Sequence, residues 1–266
     1  MTGKQIRLKR LFKHSDRLFI APMDHGVTVG PVQGLTDMPL MAGLIRAGRA
    51  DAVVVHKGLV NQITGCLGAN GCELIVHLSA STSLAPDPNR KELVSSVEHA
   101  IRLGATAVSV HVNLGSAGEP AMLKDLGMIA DSCASWGMPL LAMMYVRDGN
   151  KESEYDPAKI KHAARLAEEV GADIVKVNYT GSSETFAEVT GAVKIPVVIA
   201  GGPKMSSVNE LLDMIEDSTA AGARGVAIGR NLFQHPDPAR LARVIRQILD
   251  QRPLRQGSEK IAIINF

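Results

Sequence analysis

Short apolar, β-branched runs recur along the chain, each followed by a segment with helical character. The runs are "RLFIAPM" ending at Met23, "DAVVVHK" at Lys57, "ELIVHLS" at Ser79 and "AVSVHVN" at Asn113. They continue with "PLLAMMY" at Tyr145, "DIVKVNY" at Tyr179, "PVVIAGG" at Gly202 and "GVAIGRN" at Asn231. Eight such runs, spaced by the length of a βα unit, predict eight strands alternating with helices. Helical patterns show in "RKELVSSVEHAIRLG", "DPAKIKHAARLAEEVG", "SSVNELLDMIEDSTAAG" and "DPARLARVIRQILDQ". Most open on Asp or Ser and several close on Gly, as capped helices do. The pattern predicts an α/β protein with a (β/α)8 TIM barrel as a single domain over residues 1–266. An open doubly wound sheet fits less well, because the first strand is followed by "DHGVTVG" rather than G-x-G-x-x-G.

Composition narrows the picture. Hydrophobic residues make up 45% and aromatics only 3%, so the core is built from Val, Ile, Leu, Ala and Met, which suits parallel strands covered by helices. A net charge of +2, with no basic run interleaved with aromatics, argues against a nucleic-acid partner. No apolar run approaches the ~20 residues that cross a bilayer, so no membrane partner is expected. Cys66, Cys72 and Cys133 are odd in number and lack a zinc spacing, which reads as reduced thiols in a cytoplasmic protein. Residues 1–16 form a basic extension without the apolar stretch of a signal peptide, expected to pack on the barrel floor. Residues 252–266, ending in "EKIAIINF", form an apolar tail expected to meet a neighbouring subunit or the barrel exterior.

In such a barrel the C-terminal ends of the strands converge on one mouth, where chemistry occurs. Those ends carry Asp24, His25, His56, Lys57, His77, Ser79, His111, Asn113, Tyr145, Lys176, Gly201, Gly202, Gly229 and Arg230. In "GADIVKVNYTG" one lysine interrupts an apolar strand; if Lys176 points inward, period two sends Ile174 and Asn178 inward as well. Position alone leaves two readings for it. The side chain snorkels to solvent, or it is an amine held out of water that attacks a carbonyl and forms an imine. Tyr145 on the neighbouring strand favours the second, because imine chemistry needs a proton shuttle; an aromatic plug is the plainer alternative. Asp24 suits stabilising a protonated imine or orienting a hydroxyl, or else caps the next loop. Glycine pairs after the last two strands, with Arg230, suit a phosphate; two tight turns are the alternative. His56, His77 and His111 on adjacent strands raise a zinc reading, but no ligand spacing backs it, and binding substrate oxygens fits them better.

At these residues the sequence resembles the DeoC/FbaB class I aldolases, which are lysine-imine enzymes on (β/α)8 barrels. The matching pieces include "MDHGVTVGP", "HKG", "HLSASTSLAPDP", "GADIVKVNYTG", "AGGPK" and "VAIGRNLFQH", in order from about Pro22 to His235. The resemblance implies that Lys176 forms the imine, Tyr145 moves the proton and Asp24 assists. It implies a phosphate cradle at Gly201, Gly202, Gly229 and Arg230, no cofactor and no metal, and a homo-oligomer, with a decameric ring among the candidate assemblies. The pieces are most similar to the branch making 2-amino-3,7-dideoxy-D-threo-hept-6-ulosonate. That implies a phosphorylated ketose-derived donor (dihydroxyacetone phosphate or a deoxy-ketose phosphate) and L-aspartate semialdehyde as the aldehyde acceptor, in an aromatic-precursor pathway. Substrate binding is then expected from His25, His56, Lys57, His77, Ser79, His111, Asn113 and Arg147. One departure stands out: Tyr145-Val146-Arg147-Asp148-Gly149 replaces the usual Tyr-Pro-Arg-Gly, and the loop through "DGNKESEYDP" reads as a polar lid. The alternatives are a class I fructose-bisphosphate aldolase, a thiolase-like acyl transfer to coenzyme A from a phosphorylated diketone, and a non-catalytic sugar-phosphate-binding barrel.

Overall fold

The computed structural model describes residues 2–68 and 70–250. Eight parallel strands close into a barrel: β1 (Leu18–Pro22), β2 (Ala52–Val55), β3 (Glu73–His77), β4 (Ala107–Leu114), β5 (Leu140–Val146), β6 (Ile174–Val177), β7 (Val197–Ala200) and β8 (Gly225–Ala227). Neighbours in sequence are neighbours in the sheet, and Leu18, Phe19 and Ile20 of β1 stand opposite Gly225, Val226 and Ala227 of β8 to complete the ring. All eight expected strands are present, and the (β/α)8 barrel is the fold.

Period two sorts each strand into an inner and an outer face. Leu18, Ile20, Val54, Ile75, Leu141, Ile174 and Val198 pack together inside the ring. Phe19, Val53, Val76, Val110, Val175 and Val177 pack outward against the helices. Each such buried aliphatic side chain contributes about 1.5–3 kcal/mol. The helices begin where the sequence places caps. Asp156, Ser182 and Asp237 accept from the backbone N–H of Lys159, Thr185 and Arg240, opening Pro157–Val170, Ser183–Gly191 and Pro238–Leu249.

The basic extension forms a helix, α1 (Thr2–Leu11), under the barrel. Leu8, Leu11 and Phe12 plug the inner apolar layer from below. Its polar side chains reach acidic groups at the strand starts: Lys4 to Asp173 at 2.9 Å and Arg10 to Glu73 at 2.7 Å. Just beyond α1, His14 meets Asp51 at 2.6 Å. Asp51 also accepts from Phe19 N–H at 2.7 Å and from Arg246 at 2.8 Å, and Arg246 reaches the Ser15 hydroxyl and Arg17 carbonyl.

One expected helix is shorter than its pattern. The run from Arg90 becomes helical only at Val97, where Ser96 caps the N–H of His99. Before it, Glu92–Leu93 pairs antiparallel with Ser79–Ala80, so the chain after β3 doubles back as a small hairpin over the mouth. Among the described residues no helix is long and apolar enough to cross a membrane. The tail at 252–266 lies outside the described residues.

Candidate active site

Inward parity continues past the apolar layer and delivers polar side chains to the mouth. Asp24 follows Ile20, His56 follows Val54, His77 follows Ile75, Tyr145 follows Leu141, and Lys176 follows Ile174, each by an even number of positions. They border a cavity of about 510 Å³ with His25, Ser79, His111, Arg147, Gly201, Gly202, Gly229 and Arg230.

Two of the expected residues stand elsewhere. Lys57 has the opposite parity to His56; it points outward, is exposed, and donates to the Val94 carbonyl at 2.5 Å. Asn113 shares the parity of His111 but is buried and does not border the cavity; its Nδ2 donates to the Asn89 carbonyl at 2.6 Å and its Oδ1 accepts from His111 Nε2 at 2.8 Å. Asn113 therefore fixes the His111 ring rather than facing the cavity.

Lys176 is only 7% exposed, and no carboxylate among the described residues lies within ion-pair distance of its nitrogen. Its Nζ stands 5.9 Å from the centre of the Tyr145 ring, one strand away. Tyr145 is held from both sides, with the His111 ring at 4.9 Å and the Arg147 guanidinium at 5.3 Å. Across the mouth, Asp24 faces His25 Nδ1 at 3.6 Å and His77 Nε2 at 3.9 Å.

Burial pushes the Asp24 carboxyl up, but His77, His25, Lys176 and His56 together outweigh it and hold the group below its ordinary value. The imidazoles move down. Burial drives His77 to about 4 against the pull of Asp24, and drives His25 and His56 down against the same carboxylate. Burial, deepened by Lys91 and His77, holds His111 well below its usual range. At neutral pH the wall is thus one carboxylate among neutral imidazoles. Among the described residues no group of three or more His, Cys, Asp or Glu side chains is placed to hold a metal ion.

The far side is backbone and arginine. A Cβ on Gly229 would lie 2.6 Å from the His25 ring, so only glycine fits there, and Gly202 holds φ +65°. Asn231 ties the two glycine loops together, donating to the carbonyls of Gly201 and Pro203 and accepting from Met205 N–H. Arg230 donates to the Gly202 carbonyl at 3.1 Å.

The sequence pattern of the DeoC/LacD family aldolases matches residues 18–235, from the first residue of β1 to beyond β8. The chain belongs to this family. Among the DeoC/LacD aldolases and their relatives, it is 46% identical over 241 residues to a Streptomyces griseus protein, 2-amino-4,5-dihydroxy-6-oxo-7-(phosphonooxy)heptanoate synthase, with 90% of this chain and 88% of the relative covered. It is 45% identical over 249 residues to 2-amino-3,7-dideoxy-D-threo-hept-6-ulosonate synthase 1 of Archaeoglobus fulgidus, covering 94% and 92% of the two. An archaeal fructose-1,6-bisphosphate aldolase, solved with its catalytic lysine bound to the carbinolamine intermediate of the substrate, superposes with a TM-score of 0.83 at 31% identity, covering 92% and 99%.

Sequence reasoning missed several residues at the cavity and its rim. Lys91 borders the cavity from the hairpin that the helical pattern concealed, and its Nζ donates to the Ser81 hydroxyl at 2.5 Å. Glu154 pairs with Arg147, and its carbonyl accepts from Asn178 Nδ2 at 3.0 Å. Lys159 grips both Asp148 and Ser153. The expected polar lid is therefore a pinned loop. Its mixed charge was readable in the sequence; its partners, on three different elements, were not.

Proposed function

We propose that the protein is a lysine-imine aldolase or transaldolase that joins a phosphorylated ketose-derived donor to L-aspartate semialdehyde. One observation carries the reading. The Lys176 amine stands in a polar cavity without a carboxylate within ion-pair distance among the described residues, beside a phenol on the adjacent strand. A lysine that merely needed solvent or a counterion would have found one or the other.

The Lys176 nitrogen, as the free amine, bonds to the ketone carbon of the donor and the carbonyl oxygen takes a proton. Water leaves and a protonated imine remains. In a three-carbon donor a proton then departs from the carbon beside it. In a longer ketose the hydroxyl on the neighbouring carbon gives up its proton to a base at the site, the bond between the two carbons breaks and an aldehyde leaves. Either way the electron pair ends in an enamine, whose carbon bonds to the acceptor's aldehyde carbon while the aldehyde oxygen is protonated. Water then releases the ketone product and the free lysine. Tyr145 is the proton carrier beside the nitrogen, and the ionised Asp24 stabilises positive charge from across the mouth. Gly201, Gly202, Gly229 and Arg230 receive the phosphate. The names of the relatives from Streptomyces griseus and Archaeoglobus fulgidus support an amino-acid-derived product.

Borohydride reduction followed by peptide mass spectrometry tests this directly, run in parallel with dihydroxyacetone phosphate and a deoxy-ketose phosphate. A mass added at Lys176 with one of them supports the mechanism and identifies the donor. No adduct with either removes it.

A further inference from the structure

The cavity holds more positive charge than one phosphate uses. Lys91, Lys151 and Arg230 border it beside the Lys176 amine, and among the described residues none of the four has a carboxylate within ion-pair distance. The bordering carboxylates are Asp24 and Glu154, and Glu154 is already paired with Arg147.

Two of the free cations stand on opposite walls. Arg230 follows β8 next to the glycines after β7, whereas Lys91 rises from the hairpin over β3 and β4, halfway round the ring. Lys176 lies between them on β6. A ligand whose phosphate meets Arg230 therefore presents its growing end to Lys91.

We propose that Lys91 is the specificity-determining residue of this aldolase, binding the α-carboxylate of an amino-acid aldehyde acceptor. The inference rests on the function proposed above and adds to it the group that selects the acceptor. Lys91 is anchored through Ser81, whose hydroxyl donates onward to the Pro88 carbonyl, so one ammonium N–H is spent on positioning and two remain for a ligand. The wall around it favours a carboxylate over a second phosphate. It has no glycine pair, its guanidinium, Arg147, is already paired with Glu154, and its imidazoles are neutral, since burial drives both His77 and His111 down. With Arg147 neutralised by Glu154, the one unpaired positive charge of Lys91 on that wall matches a monoanion better than a dianion. Burial also pulls the Lys91 ammonium below its ordinary value, against the attraction of Asp24, and a bound carboxylate would relieve this.

Two readouts separate this proposal from the one beneath it. Calorimetric titration compares L-homoserine, an unreactive analogue of the acceptor, with 3-aminopropan-1-ol, which lacks the carboxylate. The wild type should prefer homoserine by about ten- to a hundredfold, the range for a hydrogen bond to a charged group. Lys91→Met should abolish the preference, Lys91→Arg should restore most of it, and Lys91→Gln replaces the Met variant if that fails to fold. Borohydride capture of the donor on Lys176 should survive all three substitutions. A wild type that binds both compounds alike, or a preference that persists in Lys91→Met, overturns the assignment. A preference that depends on Lys91 in a protein that traps no donor overturns the imine reading and leaves the carboxylate site standing.

Discussion

The two ends of the barrel use the same residue types in opposite ways. At the floor, Asp51, Glu73 and Asp173 sit at strand starts, and each meets a basic side chain of the N-terminal segment; Asp51 also meets Arg246 of the last helix. At the mouth, Lys91 and Lys176 stand in the cavity wall, with the more exposed Arg230 at its rim, and none has a carboxylate in ion-pair distance among the described residues. A buried charge that is paired and hydrogen-bonded is satisfied by the fold alone; one left without a counterion raises the energy of the empty protein and lowers it when an anion arrives. The floor should therefore govern stability and the mouth should govern chemistry, and substitutions can separate the two.

Lys176→Met should divide them most widely. Loss of the amine should cut kcat/KM by roughly 10⁴-fold or more, as removal of a covalent nucleophile does, and abolish borohydride capture. Its urea midpoint should stay level or rise, because a confined polar amine gives way to an apolar side chain of similar length. Arg246→Met is the mirror experiment. Arg246 is 2% exposed and Asp51 fully buried, so removing the guanidinium leaves Asp51 only His14 and the Phe19 N–H, takes an ion-pair partner from Asp250 as well, and should destabilise by about 3–5 kcal/mol in urea titration. Measured well below its melting temperature, the variant should retain kcat/KM within about twofold, since nothing at the mouth has moved. Activity lost beyond that would show that the ends are not separable.

Much of this division was legible in the chain. Eight β-branched runs gave the ring, and parity within "DIVKVNY" put Lys176 inside with Ile174 and Asn178, as the packing of Ile174 in the inner layer bears out. The same parity could have placed Lys57 outside, one residue beyond an inward His56. What the pattern hid depends on partners distant in sequence. "RKELVSSV" scores as a helix start, yet Glu92 and Leu93 pair with Ser79 and Ala80 instead, and that pairing is what brings Lys91 to the cavity. Asn231 reads as one more polar residue after a strand; only the folded loops show it holding Gly201, Pro203 and Met205 together. The floor was equally opaque, because Arg246 and Asp51 are joined across 195 positions of the chain.

Tyr145→Phe sharpens the comparison within the mouth itself. The ring keeps its place between His111 and Arg147, so stability should hold within about 1 kcal/mol. The hydroxyl is lost, and kcat should fall by roughly 10²–10³-fold, the range for a positioned acid-base group. An imine should still form slowly enough to be trapped on Lys176, which distinguishes a lost proton carrier from a lost nucleophile.

The mildest probe is acid. A native His77 stays neutral down to about pH 4, while in the unfolded chain it takes up a proton near 6.5. Through that window the unfolded state binds more protons, so stability must fall as pH is lowered, by roughly 3 kcal/mol for this one side chain. His25, His56 and His111 are displaced in the same direction by the same burial, and they steepen the loss. Asp24, held below its ordinary value, adds stability that disappears only at lower pH, as it is protonated. His77→Gln should therefore flatten the pH dependence of the urea midpoint between 6.5 and 4 while lowering stability at pH 7 through loss of the bond to Ser109. An unchanged slope would mean that His77 is not the group whose protonation is felt, leaving His25, His56 and His111 as the candidates. The acid response would still belong to the mouth, but the neutral state assigned to His77 there would have to be withdrawn.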